Sequence, residues 1–239
     1  MNNKERHELA AWAVGQAKKS GAGDAAVNIS RQRRIQIQYR DQKVEQLQES
    51  TQNSLSLRIF ANHRYSSHTT NDLRKSELQK FIENAVAMTK YLSEDPYRSL
   101  PERKYFEGIK EVDLNLVDPD YDNISSARKK ELTRKLDELT RRQSDKIITS
   151  SSSYWDVHGH SVKHWSNGFK SESEGTVYGI NSEVTVKDGE KGRPEGSFSA
   201  RSRFLNDMPD PEIVAQKAVG NLRDGGAQSP GGTVGRCTL

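Results

Sequence analysis

Disulfide bonding within this chain is excluded by its cysteine count of one, Cys237. The same scarcity removes any multi-cysteine metal site. Long apolar runs are missing too: none approaches the ~20 residues that a membrane span requires. The first residues, MNNKERHELAAWAVGQAKKS, carry charges where a signal peptide needs its apolar stretch, so the expectation is a cytoplasmic protein. Only 32% of the 239 residues are hydrophobic and 7% aromatic, with a mean hydropathy of −0.91. That composition argues against a thick-cored enzyme domain and for a solvent-rich or partnered architecture. Charge of one sign is also in short supply. The 37 basic residues face 33 acidic ones for a net +4, a weak pull towards nucleic acid. The length allows one large domain or two small ones.

What is present is clearest between Ser54 and Pro101. Leu55, Leu57 and Ile59 alternate with Ser54, Ser56, Arg58 and Phe60, the period-two pattern of a half-buried strand. Asn62-His63 predicts a tight reversal and Tyr65 to Thr70 a returning strand. Asp72 reads as a helix cap, and Leu78, Phe81, Ile82, Ala85, Met88 and Leu92 recur at helical spacing before the stop at Asp95-Pro96. Upstream, Lys4 to Ser20 predicts a helix with Leu9, Trp12, Ala13 and Ala17 on one stripe, closed by Gly21 and Gly23. Val27, Ile29, Ile35, Ile37 and Tyr39 share one face of a strand interrupted by Arg31 and Arg33. Arg40-Asp41 turns the chain, and Val44 to Ser50 forms another strand.

Downstream, Ile109 to Tyr121 reads as a connector. A helix is expected over Ser126 to Ser144, capped by Ser125, with Leu132, Leu136 and Leu139 inward and the pairs Glu131/Lys135 and Glu138/Arg142 outward. Strands follow at Lys146 to Trp155, Ser161 to Ser166, Phe169 to Lys187 and Ser197 to Phe204, turned by Asn167-Gly168 and Asp188-Gly189. Asp210-Pro211-Glu212 opens a last helix. The fold class is therefore α+β: an antiparallel meander with helices, in which residues 4–93 and 125–222 repeat the order helix, four strands, helix. Residues 1–222 form the domain. The Gly-rich stretch 223–239 is expected to be a disordered or truncated tail.

The order SLSLRIF, turn, RYSSHTTNDL, then LQKFIENAVAMTKYLSEDPYRSLPE resembles the N-terminal region of the TldD/PmbA family, once described as modulators of DNA gyrase and linked to peptide processing. Glycines common around the family's hairpin are replaced here by Asn62, His63, Ser66 and Ser67. The resemblance implies a second, mostly β domain continuing beyond this region. It also implies a zinc peptidase centre, built on a His-Glu-x-x-x-His helix, in the C-terminal half of active members. This chain has His7-Glu8, but Ala11 and Trp12 stand where a second histidine would be needed, so no catalytic, cofactor-binding or metal residue is assigned. The resemblance further implies a homo- or hetero-oligomer with a TldD/PmbA-type subunit, handling unfolded or small peptides.

Three constellations remain. His158, His160 and His164 form the one histidine cluster, and residues two apart on a strand share a face. Gly159 suggests a turn there, and Asp156 is the acidic residue nearest in sequence, so surface or interface histidines beside Trp155 and Trp165 are expected in place of a metal site. Arg31/Arg33/Arg34 and Arg128/Lys129/Lys130/Arg134/Arg141/Arg142 could meet phosphates, with acidic residues interleaved in the second set. Ser150 to Ser153 lacks the surroundings of a nucleophile elbow. The reading is a non-catalytic scaffold, substrate-chamber and subunit-interface region of a peptidase system. The alternative is a basic nucleic-acid- or gyrase-associated module.

Overall fold

A computed structural model describes residues 1–110, 112–190 and 192–222. Cys237 and the Gly-rich 223–239 stretch lie outside the described residues. The elements are α1 (Asn3–Lys19), β1 (Asp24–Arg40), β2 (Lys43–Ala61), β3 (Arg64–Thr70) and α2 (Lys75–Thr89), followed by α3 (Ser126–Arg142), β4 (Ile147–Trp165), β5 (Lys170–Val186), β6 (Glu195–Ser202) and α4 (Pro211–Gly220). One antiparallel sheet takes the order β3-β2-β1-β4-β5-β6. The α+β class is thus as the sequence indicates.

The strand count differs. Each half has helix, three strands, helix, because β2 and β4 each run unbroken for 19 residues. The polar residues 51–53 do not break β2, nor does Gly159 turn β4. An extended backbone already paired to a neighbouring strand keeps its ladder bonds through polar residues, where leaving it would strand them.

The turns follow side-chain rules. Asp41-Gln42, one residue beyond the expected Arg40-Asp41, and Asn62-His63 link β1 to β2 and β2 to β3, with all four residues at positive φ. This is the two-residue geometry whose twist matches that of the strands. Gly168 supplies positive φ in the β4–β5 turn. Asn2 and Glu5 cap α1 reciprocally, Ser125 caps α3, and the Asp210 side chain accepts from the Glu212 N–H with Pro211 at the first helical position of α4. The expected Asp72 cap of α2 is not made. The helix starts at Lys75, and Asp72 is instead held by the Arg74 guanidinium, which lowers its carboxyl to about 2. On α3, Glu138 pairs with Arg142 as expected, while Glu131 binds Arg134, one turn position earlier than Lys135.

The chain divides into two compact units: 1–34, 49–119 and 157–177 form one, and 35–48, 120–156 and 178–222 the described part of the other. The first packs Leu9, Ala13 and Ala17 of α1, Leu55, Leu57 and Ile59 of β2, and Leu78 and Ile82 of α2 into one core. The second packs Ile35, Ile37 and Tyr39 of β1 with Leu136, Tyr154, Tyr178, Ile180 and Val214. The odd-numbered row of β1 therefore serves two cores, and Arg31 and Arg33 mark the gap between its two apolar groups.

In the second unit Trp155 of β4 lies over Gly179 of β5, where a methyl group would overlap the indole. Gly179→Ala is expected to destabilise by about 1–3 kcal/mol through overpacking. In a Trp155→Ala background the same change should be close to neutral. Equilibrium urea unfolding of the four proteins reads both outcomes.

Candidate functional site

The histidines that the sequence places near one another are joined in the structure by residues it left apart. β4 carries His160 and His164, β5 carries Glu172 across the Asn167-Gly168 turn, and the first turns of α1 carry Asn3, Arg6 and His7. Glu172 is the hub. Its Oε1 accepts from Asn3 Nδ2 at 2.6 Å and from His160 Nε2 at 2.8 Å, and its Oε2 from His7 Nε2 at 2.9 Å. The two histidine donors hold the Glu172 carboxyl below the usual carboxylate range, the His160 bond contributing most.

Arg6 is buried, and its Nη1 donates to His160 Nδ1 at 2.7 Å and to Asn3 Oδ1 at 2.8 Å. A guanidinium only donates, so the His160 proton sits on Nε2, facing Glu172. His7 Nδ1 meets His164 Nε2 at 2.9 Å, the rings edge to face. Burial first, then the neighbouring His7 and Lys170, lowers the His164 pKa below the ordinary histidine value.

Two expectations are corrected here. His160 and His164 are buried, not surface residues, because Gly159 continues the strand and turns both rings onto the face that α1 covers. The acidic partner of His160 is Glu172 and not Asp156, and His164 reaches Glu172 only through His7. Counting outward from the Trp165–Phe169 pair in the β4–β5 turn puts Glu172 between His160 and His164 on the next strand, a signal the sequence did contain. The participation of Arg6 and His7 had no local signal, since it depends on where α1 docks. His158 stands apart from this network, bonded to Glu174 at 2.7 Å. Among the described residues no group of three or more His, Cys, Asp or Glu is arranged to hold a metal ion. The ring nitrogens here point at one another, at Arg6 and at Glu172, not at a shared centre, so they do not fit the family's zinc.

The second unit holds another buried polar cluster. Lys129 of α3 (2% exposed) bonds Asp156 of β4 (0% exposed) at 2.6 Å. Asp156 also accepts from Tyr121 at 2.7 Å and Tyr154 at 2.6 Å. The ammonium stands 5.0 Å from the Tyr121 ring centroid. Burial, then the adjacent Asp156 carboxylate, raises the Tyr154 hydroxyl far above its ordinary value. Every polar group in the cluster is spoken for, as a core ion pair requires.

The basic clusters are largely neutralised in place. Lys129 is in the core, Arg134 binds Glu131 and Glu138, Arg142 binds Glu138, Arg141 binds Asp41 at 3.2 Å, and Arg33 binds Glu49 at 2.7 Å. Ser150 and Ser152 are buried strand residues. No helix among the described residues is long and apolar enough to cross a membrane.

Two surfaces remain open. β3 pairs with β2 only from Leu55 to Ala61, so residues 43–54 of β2 have no strand on that side among the described residues. Beyond α2, Tyr91 (90% exposed), Tyr97 (95%), Tyr105, Ile109, Val112 and Leu114 put large apolar side chains into solvent.

Comparison with known proteins matches residues 25–89 to the family model of PmbA/TldA metallopeptidase domain 1, and residues 119–224 to that of the PmbA/TldA metallopeptidase central domain. A metalloprotease PmbA homolog of Buchnera aphidicola is 25% identical over 188 residues, covering 77% of this chain and 41% of that protein. The Haemophilus influenzae homolog is 24% identical over 157 residues, covering 64% and 33%. A crystal structure from Bacteroides thetaiotaomicron, described as a candidate modulator of DNA gyrase, superposes with a TM-score of 0.87 at 29% identity, over 92% of this chain and 50% of that one. TldE from Thermococcus kodakarensis gives 0.71 at 19% identity over 89% and 46%, a likeness of fold. The chain spans half or less of the length of these relatives.

Proposed function

Because this chain belongs to the PmbA/TldD metallopeptidase family, we propose that it is a non-catalytic part of a peptidase system. It shapes the chamber in which peptides are held and forms part of a subunit interface. The zinc chemistry comes from polypeptide outside this chain. Its partner is a second TldD/PmbA-type subunit, and its substrates are unfolded or small peptides.

The observation that carries the reading is the open edge of β2. Over residues 43–54 the strand is extended and, among the described residues, unpaired on the side away from β1. Such an edge offers alternating N–H and C=O groups to an extended peptide. Recognition would then be largely main-chain and tolerant of sequence, as handling of varied unfolded peptides demands. Glu49 is drawn to Arg33 and Glu45 to Arg40, both on β1, the far side of β2 from the open edge. The exposed tyrosines and aliphatics between Tyr91 and Leu114 support the interface part of the reading, because a partner would cover them.

Fluorescence anisotropy with labelled extended peptides tests the strand-addition mechanism. Peptides with proline at alternate positions are expected to bind at least about tenfold more weakly, since each proline removes a main-chain donor. Equal binding of both sets would count against this mechanism.

A further inference from the structure

We propose that the His7–His164 contact is a proton-limited latch holding the first turn of α1 to β4 and β5, and that acidification loosens that turn. The inference is independent of the functional reading above.

The argument begins with the hydrogen between two rings. His7 Nδ1 and His164 Nε2 stand 2.9 Å apart, a distance that holds one hydrogen and not two. At neutral pH His7 Nε2–H donates to Glu172, which leaves its Nδ1 to accept from His164 Nε2–H. One added proton can be accommodated. His7 then donates from both nitrogens, to Glu172 and to His164, and the His164 hydrogen moves to Nδ1. A second added proton places two N–H groups head to head, so His7 and His164 must part.

The surroundings do not relieve that conflict. From α1 come the Arg6 guanidinium and His7. From β4 come His160, committed between Arg6 and Glu172, and His158, which turns to Glu174. From β5 come Glu172 and Lys170. Glu172 is the one carboxylate bonded to His7 and it already accepts from three donors. Among the described residues no carboxylate is bonded to His164, which is buried and close to Lys170, and its lowered pKa agrees with that placement.

The sign follows from proton counting. Undocked, the two rings are apart and nothing limits the N–H groups they carry. Docked, the 2.9 Å contact has room for one hydrogen between them, so the fully protonated His164 is excluded once His7 donates to it. Docking therefore weakens as pH falls below the ordinary histidine value of about 6.5, by up to tenfold in the docking equilibrium per pH unit. A group whose folded pKa is depressed and whose charged form is the acid form loses stability on acidification, and His164 is such a group.

The effect is confined to the entry of α1. Asn3, Arg6 and His7 lie in its first five residues, whereas Leu9, Ala13 and Ala17 remain in the core. Hydrogen exchange by mass spectrometry on the 239-residue chain, between pH 7 and pH 5 with exchange times corrected for intrinsic rates, reads it directly. Protection of the amides from Arg6 to Ala10 should fall up to tenfold per unit below about 6.5, while α2 amides hold theirs. His164→Asn and His7→Asn should flatten that dependence. NMR titration of His164 in the unmodified chain gives the second reading and needs no variant. A midpoint at or above the ordinary histidine value, or a pH profile unchanged in His164→Asn, would overturn the proposal.

Discussion

Replacing Asp156 with alanine is expected to lower stability by about 3–5 kcal/mol, the usual consequence of removing one member of a buried ion pair. Asp156 is the shared acceptor for the Lys129 ammonium and for the Tyr121 and Tyr154 hydroxyls. Its loss leaves a buried cation and two buried donors with nothing to bond. Lys129→Ala should fall in the same range, because it leaves the carboxylate with hydroxyl donors but without its counter-charge. The double replacement Lys129→Met with Asp156→Leu should cost less than the two single losses added, by about 0.5–3 kcal/mol, since two apolar residues leave no orphaned charge. Chemical denaturation of the set measures this. Additive losses would show that the pair is not energetically coupled. The same cluster fixes an alkaline limit. Tyr154 is held in its neutral form when folded, so its contribution is full below the unfolded value near 10.0 and is lost as pH rises above it. Tyr154→Phe should blunt that alkaline loss, at the expense of one hydrogen bond at neutral pH.

The second large effect is expected on β2. Leu57 is fully buried in the first unit's core, with Leu78, Ile82 and Leu9 in the same cluster, and Leu57→Ala should destabilise by about 2–5 kcal/mol, depending on how far the site collapses. Leu47 is on the same strand at the same parity, but half exposed. Leu47→Ala should change stability by no more than about 0.5 kcal/mol. Thermal and urea unfolding of both variants distinguishes them. A large loss at Leu47 would mean that something covers this part of β2 in solution.

The leucine pair shows how far the pattern reads. Alternation finds the strand and its faces, since Leu55, Leu57 and Ile59 share one side and all three are buried. It cannot say which part of that side is covered, because cover comes from helices elsewhere in the chain. The strand count failed for a related reason. Residues 51–53 and Gly159 read as breaks when taken alone, yet each belongs to a strand whose backbone is already committed to a neighbour. The Asp72 cap failed because α2 opens at Lys75 with Arg74 at the cap position, and the Asp72 carboxylate accepts from the Arg74 guanidinium and backbone N–H instead.

At the histidine network, the sequence supplied two of the rings by spacing and a third partner by hairpin counting. His7 reads in the sequence only as part of an absent metal motif, and Arg6 carries no local signal. A contact between residue 6 and residue 160 rests on the docking of α1, and docking is decided by the apolar stripe of Leu9, Ala13 and Ala17, not by the polar residues that meet as a result.

Local chemistry settled the elements of this protein: caps at Asn2, Ser125 and Asp210, reversals at Asp41-Gln42, Asn62-His63 and Asn167-Gly168, and alternation that fixes which strand face is apolar. Those are short-range preferences, expressed within a few residues. Tertiary structure alone decided the lengths of the strands, the two buried polar clusters and the open edge of β2. Each of these depends on pairing across 100 residues or so of chain, or on a neighbouring strand that stops short, and no local preference encodes such a distance.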